Sequence, residues 1–130
     1  MTKLKILFID DDSDFLEVMK LIWEQEGYEV FIAASGKEGV EKFKKERPSA
    51  VVVDCMMPVM DGIATMKEIR EVDKETSAIL FTGRPDIELI EDIKELNISA
   101  MVPKESARSN PTTTLKNIFE TIERRLAAKD

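Results

Sequence analysis

The sequence predicts an α/β fold, a parallel sheet of five strands covered by helices on both faces. Three observations carry this. Short apolar runs alternate with stretches whose apolar residues recur at helical spacing. The runs are continuous rather than alternating, as strands buried on both faces require. And 130 residues suit one domain with a core that needs no disulfide.

The elements follow in order. Lys5–Ile9 reads as a buried strand. From Ser13 to Gln25, Phe15, Val18, Met19 and Ile22 keep helical spacing, and Gly27 supplies a stop. Glu29–Ala33 is the second strand. Ser35 caps a helix running to about Glu46, with Val40 and Phe43 inward and Pro48 ending it. Ala50–Val53, apolar and mostly β-branched, is a central strand. Ile63, Met66 and Ile69 mark a third helix, and Ala78–Thr82 a fourth strand. Pro85–Leu96 is a fourth helix with Ile87, Ile90 and Ile93 inward, followed by a short strand at Ala100–Val102. Asn110 before Pro111 fits an N-cap with proline in the first turn. It opens a last helix with Leu115, Ile118, Phe119, Ile122 and Leu126 at helical spacing. Strands alternating with helices join into a parallel sheet through right-handed crossovers.

Composition narrows the chemistry. A net charge of −7 argues against direct contact with nucleic acid or a membrane surface, which rely on clustered Lys and Arg. The single cysteine, Cys55, excludes an internal disulfide and suits a reducing compartment. The apolar run before Asp10 is too short for a signal peptide, and no stretch reaches transmembrane length, so the cytoplasm is the expected location. With no histidine, the chain has no Ser-His or Cys-His pair and no phosphohistidine of its own.

In open parallel sheets, ligands bind beyond the carboxyl ends of the strands. There the first strand delivers Asp10, Asp11 and Asp12; the third Asp54; the fourth Thr82 and Gly83; the fifth Lys104. Capping accounts for one or two of the aspartates before Ser13, and Asp12 and Asp14 suit the helix start. Carboxylates gathered at one edge call for a cation. Hard oxygens with room for water and phosphate suit Mg²⁺. Thr82 and Lys104 are placed to meet the oxygens of a phosphoryl group, and Asp54 to act as its nucleophile.

These motifs resemble a known family. The segments ILFIDDDSDF, VVVDCMMPVMDG (Val51 to Gly62), LFTG (Leu80 to Gly83) and VPK (Val102 to Lys104) look like the receiver domain of two-component response regulators, in order and over nearly the whole chain. The resemblance implies a flavodoxin-like (βα)5 fold with strand order 2-1-3-4-5. Residues 1–130 are then one receiver domain, standing alone or cut from a longer protein. It implies that Asp54 accepts phosphate from a sensor histidine kinase or a histidine phosphotransfer protein. Asp11 would bind Mg²⁺ directly and Asp10 through water, with the Met56 backbone carbonyl as a further ligand. Thr82 would turn toward the phosphoryl group and Lys104 pair with it. Such a chain is a signalling module rather than an enzyme, switching a fused or separate output domain.

The sequence departs from the family pattern in places. Met101 stands where an aromatic is usual, Pro103 precedes Lys104 rather than following it, and the stretch ESARSN before the last helix is longer than usual. These departures motivate a second reading, an interaction module with a receiver fold that works without phosphorylation. A third, an Mg²⁺-dependent phosphatase suggested by the D-x-D of Asp10 and Asp12, ranks last because Asp14 replaces the expected threonine and no substrate cap is present. Met57 and Met60 are expected to pack, Cys55 to be a small buried residue, and KEGVEKFKKER to be a solvated helix face.

Overall fold

The computed structural model describes residues 4–82, 94–103 and 111–128. Five parallel strands, β1 (Lys5–Ile9), β2 (Glu29–Ala33), β3 (Ala50–Asp54), β4 (Ser77–Thr82) and β5 (Ala100–Pro103), form one sheet in the order β2-β1-β3-β4-β5. The described helices are α1 (Ser13–Gln25), α2 (Gly36–Glu46), α3 (Gly62–Val72) and α4 (Pro111–Ala128). The expected helix at Pro85–Leu96 and the stretch before Pro111 lie largely outside the described residues; of that helix only Lys94 and Glu95 are seen as helical.

The continuous apolar runs divide between two faces by the twofold alternation of a strand. Ile6, Phe8, Val52, Ile79 and Phe81 pack with Leu16, Met19 and Trp23 of α1 and Leu115, Phe119 and Ile122 of α4. Leu7, Ile9, Val51, Val53 and Leu80 pack with Val40 and Phe43 of α2 and Met66 and Ile69 of α3. On the first face Trp23 meets Phe119 edge to face at 4.9 Å. The Tyr28 hydroxyl donates to Glu123 Oε1 at 2.7 Å, tying the approach to β2 onto α4.

Local chemistry sets the boundaries. The Asp12 carboxylate accepts from the Phe15 N–H, Ser35 Oγ from the Glu38 N–H, and Asp61 Oδ1 from the Ala64 N–H, so each of the first three helices starts on a side-chain cap. Gly27, at φ 95°, ends α1: its N–H donates to Glu24 O, and that of Tyr28 to Trp23 O. Arg47 takes the left-handed position after α2, at φ 48°.

Helical spacing in α1 and α4 does not by itself say which side chains are buried. The inward stripe of α1 is Leu16, Met19 and Trp23; Phe15 and Ile22 flank it, and Val18 is 50% exposed. Spacing alone fits either stripe, and the large indole decides by filling the aromatic cluster against α4. Leu126, at the same spacing in α4, is 40% exposed. The 18 residues of α4 run about 27 Å, past a sheet whose strands span roughly 17 Å, so the last turn has no strand beneath it.

Candidate functional site

The register brings the carboxyl ends of the strands to one edge. Ile9 pairs with Ala33 and Val53, Asp54 with Phe81, and Thr82 with Pro103. Neighbouring strands hold the backbone of the site residues: the Asp10 N–H donates to Ala33 O at 3.1 Å, and the Cys55 N–H to Phe81 O at 2.8 Å. Residues next to each other at this edge are therefore fixed by the sheet ladder, although β1 and β3 lie some forty residues apart in the chain.

Carboxylate oxygens of Asp10, Asp11 and Asp54 all lie within 4.8 Å of one another. Asp10 and Asp54 are each only 2% exposed, while Asp11 faces solvent. Asp10 Oδ1 accepts from the Asp12 N–H at 2.9 Å, and Asp54 Oδ1 from the Met56 N–H at 3.1 Å. Two buried carboxylates this close repel by about 3 kcal/mol at an effective dielectric near 20. A cluster of carboxylate oxygens with one solvent-facing member and a surplus of negative charge has the donor set of a hard divalent cation, and the three residues fit a metal site.

The loop from Cys55 to Asp61 frames this cluster. Cys55 and Met57 are buried, Met60 packs against the α2–α3 core, and Met56 is 75% exposed. The Gly62 N–H donates to Cys55 O at 3.1 Å and closes the loop at its base. Val59 at the tip is fully exposed and takes φ 66°. Thr82 is the last residue of β4; its side chain, with Gly83, Arg84 and Lys104, lies outside the described residues. Met101, in the usual place of an aromatic, is half-buried against the α2–α3 core.

Sequence reasoning missed two contributors near this edge and a buried arginine at the far end of α3. Asp61 as a cap was available from the Asp-Gly that precedes a helical pattern. The left-handed Val59 carries no signal, because a β-branched residue argues against that conformation. Arg70 of α3, buried among backbone carbonyls, reads in sequence as an ordinary helix-surface charge.

Residues 6–116 match the profile of the response regulator receiver domain. The chain is 34% identical over 92 residues to sporulation initiation phosphotransferase F of Bacillus subtilis, covering 71% of this chain and 74% of that protein. It also matches longer transcriptional regulators, of which it spans only 33% to 36% of the length. Among solved structures, chemotaxis protein CheY4 of Vibrio cholerae superposes with a TM-score of 0.81 at 29% identity, over 89% of this chain and 96% of that one. Response regulator TrrA of Thermotoga maritima, solved in complex with Mg²⁺ and beryllofluoride, gives 0.76 at 28% identity, over 91% and 97%. No helix of the described residues is long and apolar enough to cross a membrane.

Proposed function

The chain belongs to the response regulator receiver domain family, and on that footing we propose that Asp54 accepts a phosphoryl group from a phosphohistidine on a partner protein. The observation that carries this is the convergence of Asp10, Asp11 and Asp54 within 4.8 Å, two of them buried. The likeness to TrrA, solved with a phosphoryl mimic and Mg²⁺, supports it.

In the transfer, an Asp54 carboxylate oxygen forms a bond to phosphorus while the bond from phosphorus to the partner's imidazole nitrogen breaks, and that nitrogen leaves with the electron pair. Asp10, Asp11, Asp54 and the Met56 carbonyl would hold Mg²⁺, which when bound would supply charge neutralisation for the phosphoryl oxygens. The Met56 N–H, at 3.1 Å from Asp54 Oδ1, orients the carboxylate. Asp10, buried and held by the Asp12 N–H at 2.9 Å, would add negative charge to the cation's site. Thr82 and Lys104 take the remaining phosphoryl oxygens.

The donor is a sensor histidine kinase or a histidine phosphotransfer protein; the chain has no histidine and depends on a partner's. Phosphorylation adds about −1.5 to −2 charge at one end of the sheet, shifting a pre-existing equilibrium that an output domain, fused or separate, reads. The charge of −7 fits a domain that touches no nucleic acid itself. The reading is tested by adding beryllofluoride and Mg²⁺ and following bound fluoride by fluorine NMR. A bound signal is expected in the wild type and none in Asp54→Asn or with the metal chelated. Equal signals in wild type and Asp54→Asn would refute it.

A further inference from the structure

We propose that Gly62 is a positioning residue for Asp54: by having no side chain, it lets the first turn of α3 rest directly on the Asp54–Cys55 backbone and so fixes the Met56 amide against the carboxylate. The proposal rests on the reading of Asp54 as phosphoacceptor. A Cβ at Gly62 would fall on the Asp54 carbonyl oxygen and lie 2.8 Å from Cys55 Cα and 3.0 Å from Asp54 C. All three are backbone atoms of a strand end buried in the centre of the sheet, with no side chain free to turn away.

Two other helical glycines show the contrast. Gly36, in the first turn of α2, and Gly39 are also crowded, but the two nearest atoms to the first are side-chain atoms of Thr65 and Met60, with the Met60 carbonyl oxygen third at 3.0 Å, and those nearest the second belong to the Ile9 side chain. Gly62 differs in meeting the acceptor's own main chain. Its conformation needs no glycine, since among the glycines of the described residues only Gly27 has positive φ. Alanine at this position would even gain helix propensity. What excludes a side chain there is the contact alone.

The consequence runs through two hydrogen bonds. The Gly62 N–H holds Cys55 O at 3.1 Å, and the next amide in the chain, that of Met56, donates to Asp54 Oδ1 at 3.1 Å. A methyl group at Gly62 forces α3 off the strand end, turns the Cys55–Met56 peptide and withdraws the donor that orients the carboxylate.

The test compares wild type, Gly62→Ala and Phe43→Leu, the last trimming a fully buried side chain of α2 as a match for lost stability. Mg²⁺ is titrated into each, and the backbone amide resonances of Cys55 and Met56 are followed. Gly62→Ala is expected to move both resonances before metal is added and to weaken Mg²⁺ affinity by about 10- to 100-fold, the usual loss when a group orienting a metal ligand is removed. Phe43→Leu is expected to lose stability while keeping wild-type resonances and affinity. Wild-type resonances and affinity in Gly62→Ala would overturn the proposal. If that variant does not fold, amide exchange at Gly62 in the wild type decides: Mg²⁺ with beryllofluoride should slow it about tenfold, because a ligand that needs the closed loop stabilises it, and unchanged exchange would overturn the proposal. A wild type that binds Mg²⁺ but forms no beryllofluoride adduct refutes the acceptor reading alone, the resonance and affinity comparison still deciding on Gly62.

Discussion

Arg70 Nε donates to the Leu96 carbonyl at 2.6 Å, joining α3 to the chain that leads into β5. The same guanidinium donates to Asn97 O and to Asp73 O, each at 3.1 Å. Burial pushes its pKa down and nearby Asp73 pulls it back up. Three backbone carbonyls are thus met by one planar fork, which a lysine cannot reproduce. Arg70→Ala should cost about 2–3 kcal/mol, by lost hydrogen bonds and stranded carbonyls, and Arg70→Lys should recover less than half of it. Urea unfolding measures both; a loss within 0.5 kcal/mol, roughly that of an ordinary surface change, would show the fork to be dispensable.

Val59 offers the opposite sign. A β-branched residue at φ 66° is strained, and its fully exposed side chain gains no burial in return. Val59→Gly should stabilise the protein by about 1 kcal/mol despite the greater freedom of glycine in the unfolded chain. Thermal unfolding shows this as a raised Tm, and a lowered Tm would mean that the loop tip does not hold that conformation.

The buried carboxylates make stability depend on metal. In a chelator, Asp54→Asn should be more stable than the wild type by about 1–2 kcal/mol, since it removes part of the repulsion with Asp10 and keeps an acceptor for the Met56 N–H. Mg²⁺ should raise the Tm of the wild type and leave that of the variant nearly unchanged. Equal Tm values in chelator would indicate that the cluster is not under electrostatic load.

Tyr28 supplies the pH dependence. Burial first, then its hydrogen bond to Glu123, raises its pKa above the ordinary value near 10. The folded chain therefore holds the phenolic proton more tightly than the unfolded one. This contribution to stability is complete below pH 10 or so and is lost as pH rises through the higher folded value. As the chain's single tyrosine, it can be followed by ultraviolet absorbance. Phenolate should appear only well above pH 10 in the folded wild type, and earlier in Glu123→Gln. Ionisation near pH 10 in the wild type would count against a buried, bonded phenol.

Much of this was legible in sequence because it is local or periodic. Gly27 and Ser35 mark helix ends by their own conformational chemistry, and the apolar runs allow only a sheet covered on both faces. Asp10, Asp11 and Asp54 follow from that sheet, since parallel strands bring their carboxyl ends to one edge whatever their separation in the chain. Arg70 was not legible: its partners at Leu96 and Asn97 are set by how α3 lies across the sheet, and nothing local distinguishes it from a solvated arginine. The buried stripe of α1 was not legible for a similar reason, because Trp23 packs inward against Phe119 on a distant helix. Gly62 stood in a quoted motif, yet what its hydrogen atom touches is visible only when strand and helix are assembled.

The most direct test of the account is phosphorylation at Asp54. The protein is incubated with Mg²⁺ and a small acyl phosphate, its intact mass is measured, and the modified residue is mapped after trapping the acyl phosphate by reduction. The account predicts one added phosphoryl group, mapped to Asp54, dependent on Mg²⁺ and absent from Asp54→Asn. An unmodified wild type under conditions that label a known receiver domain, or a phosphoryl group on another residue, would contradict it.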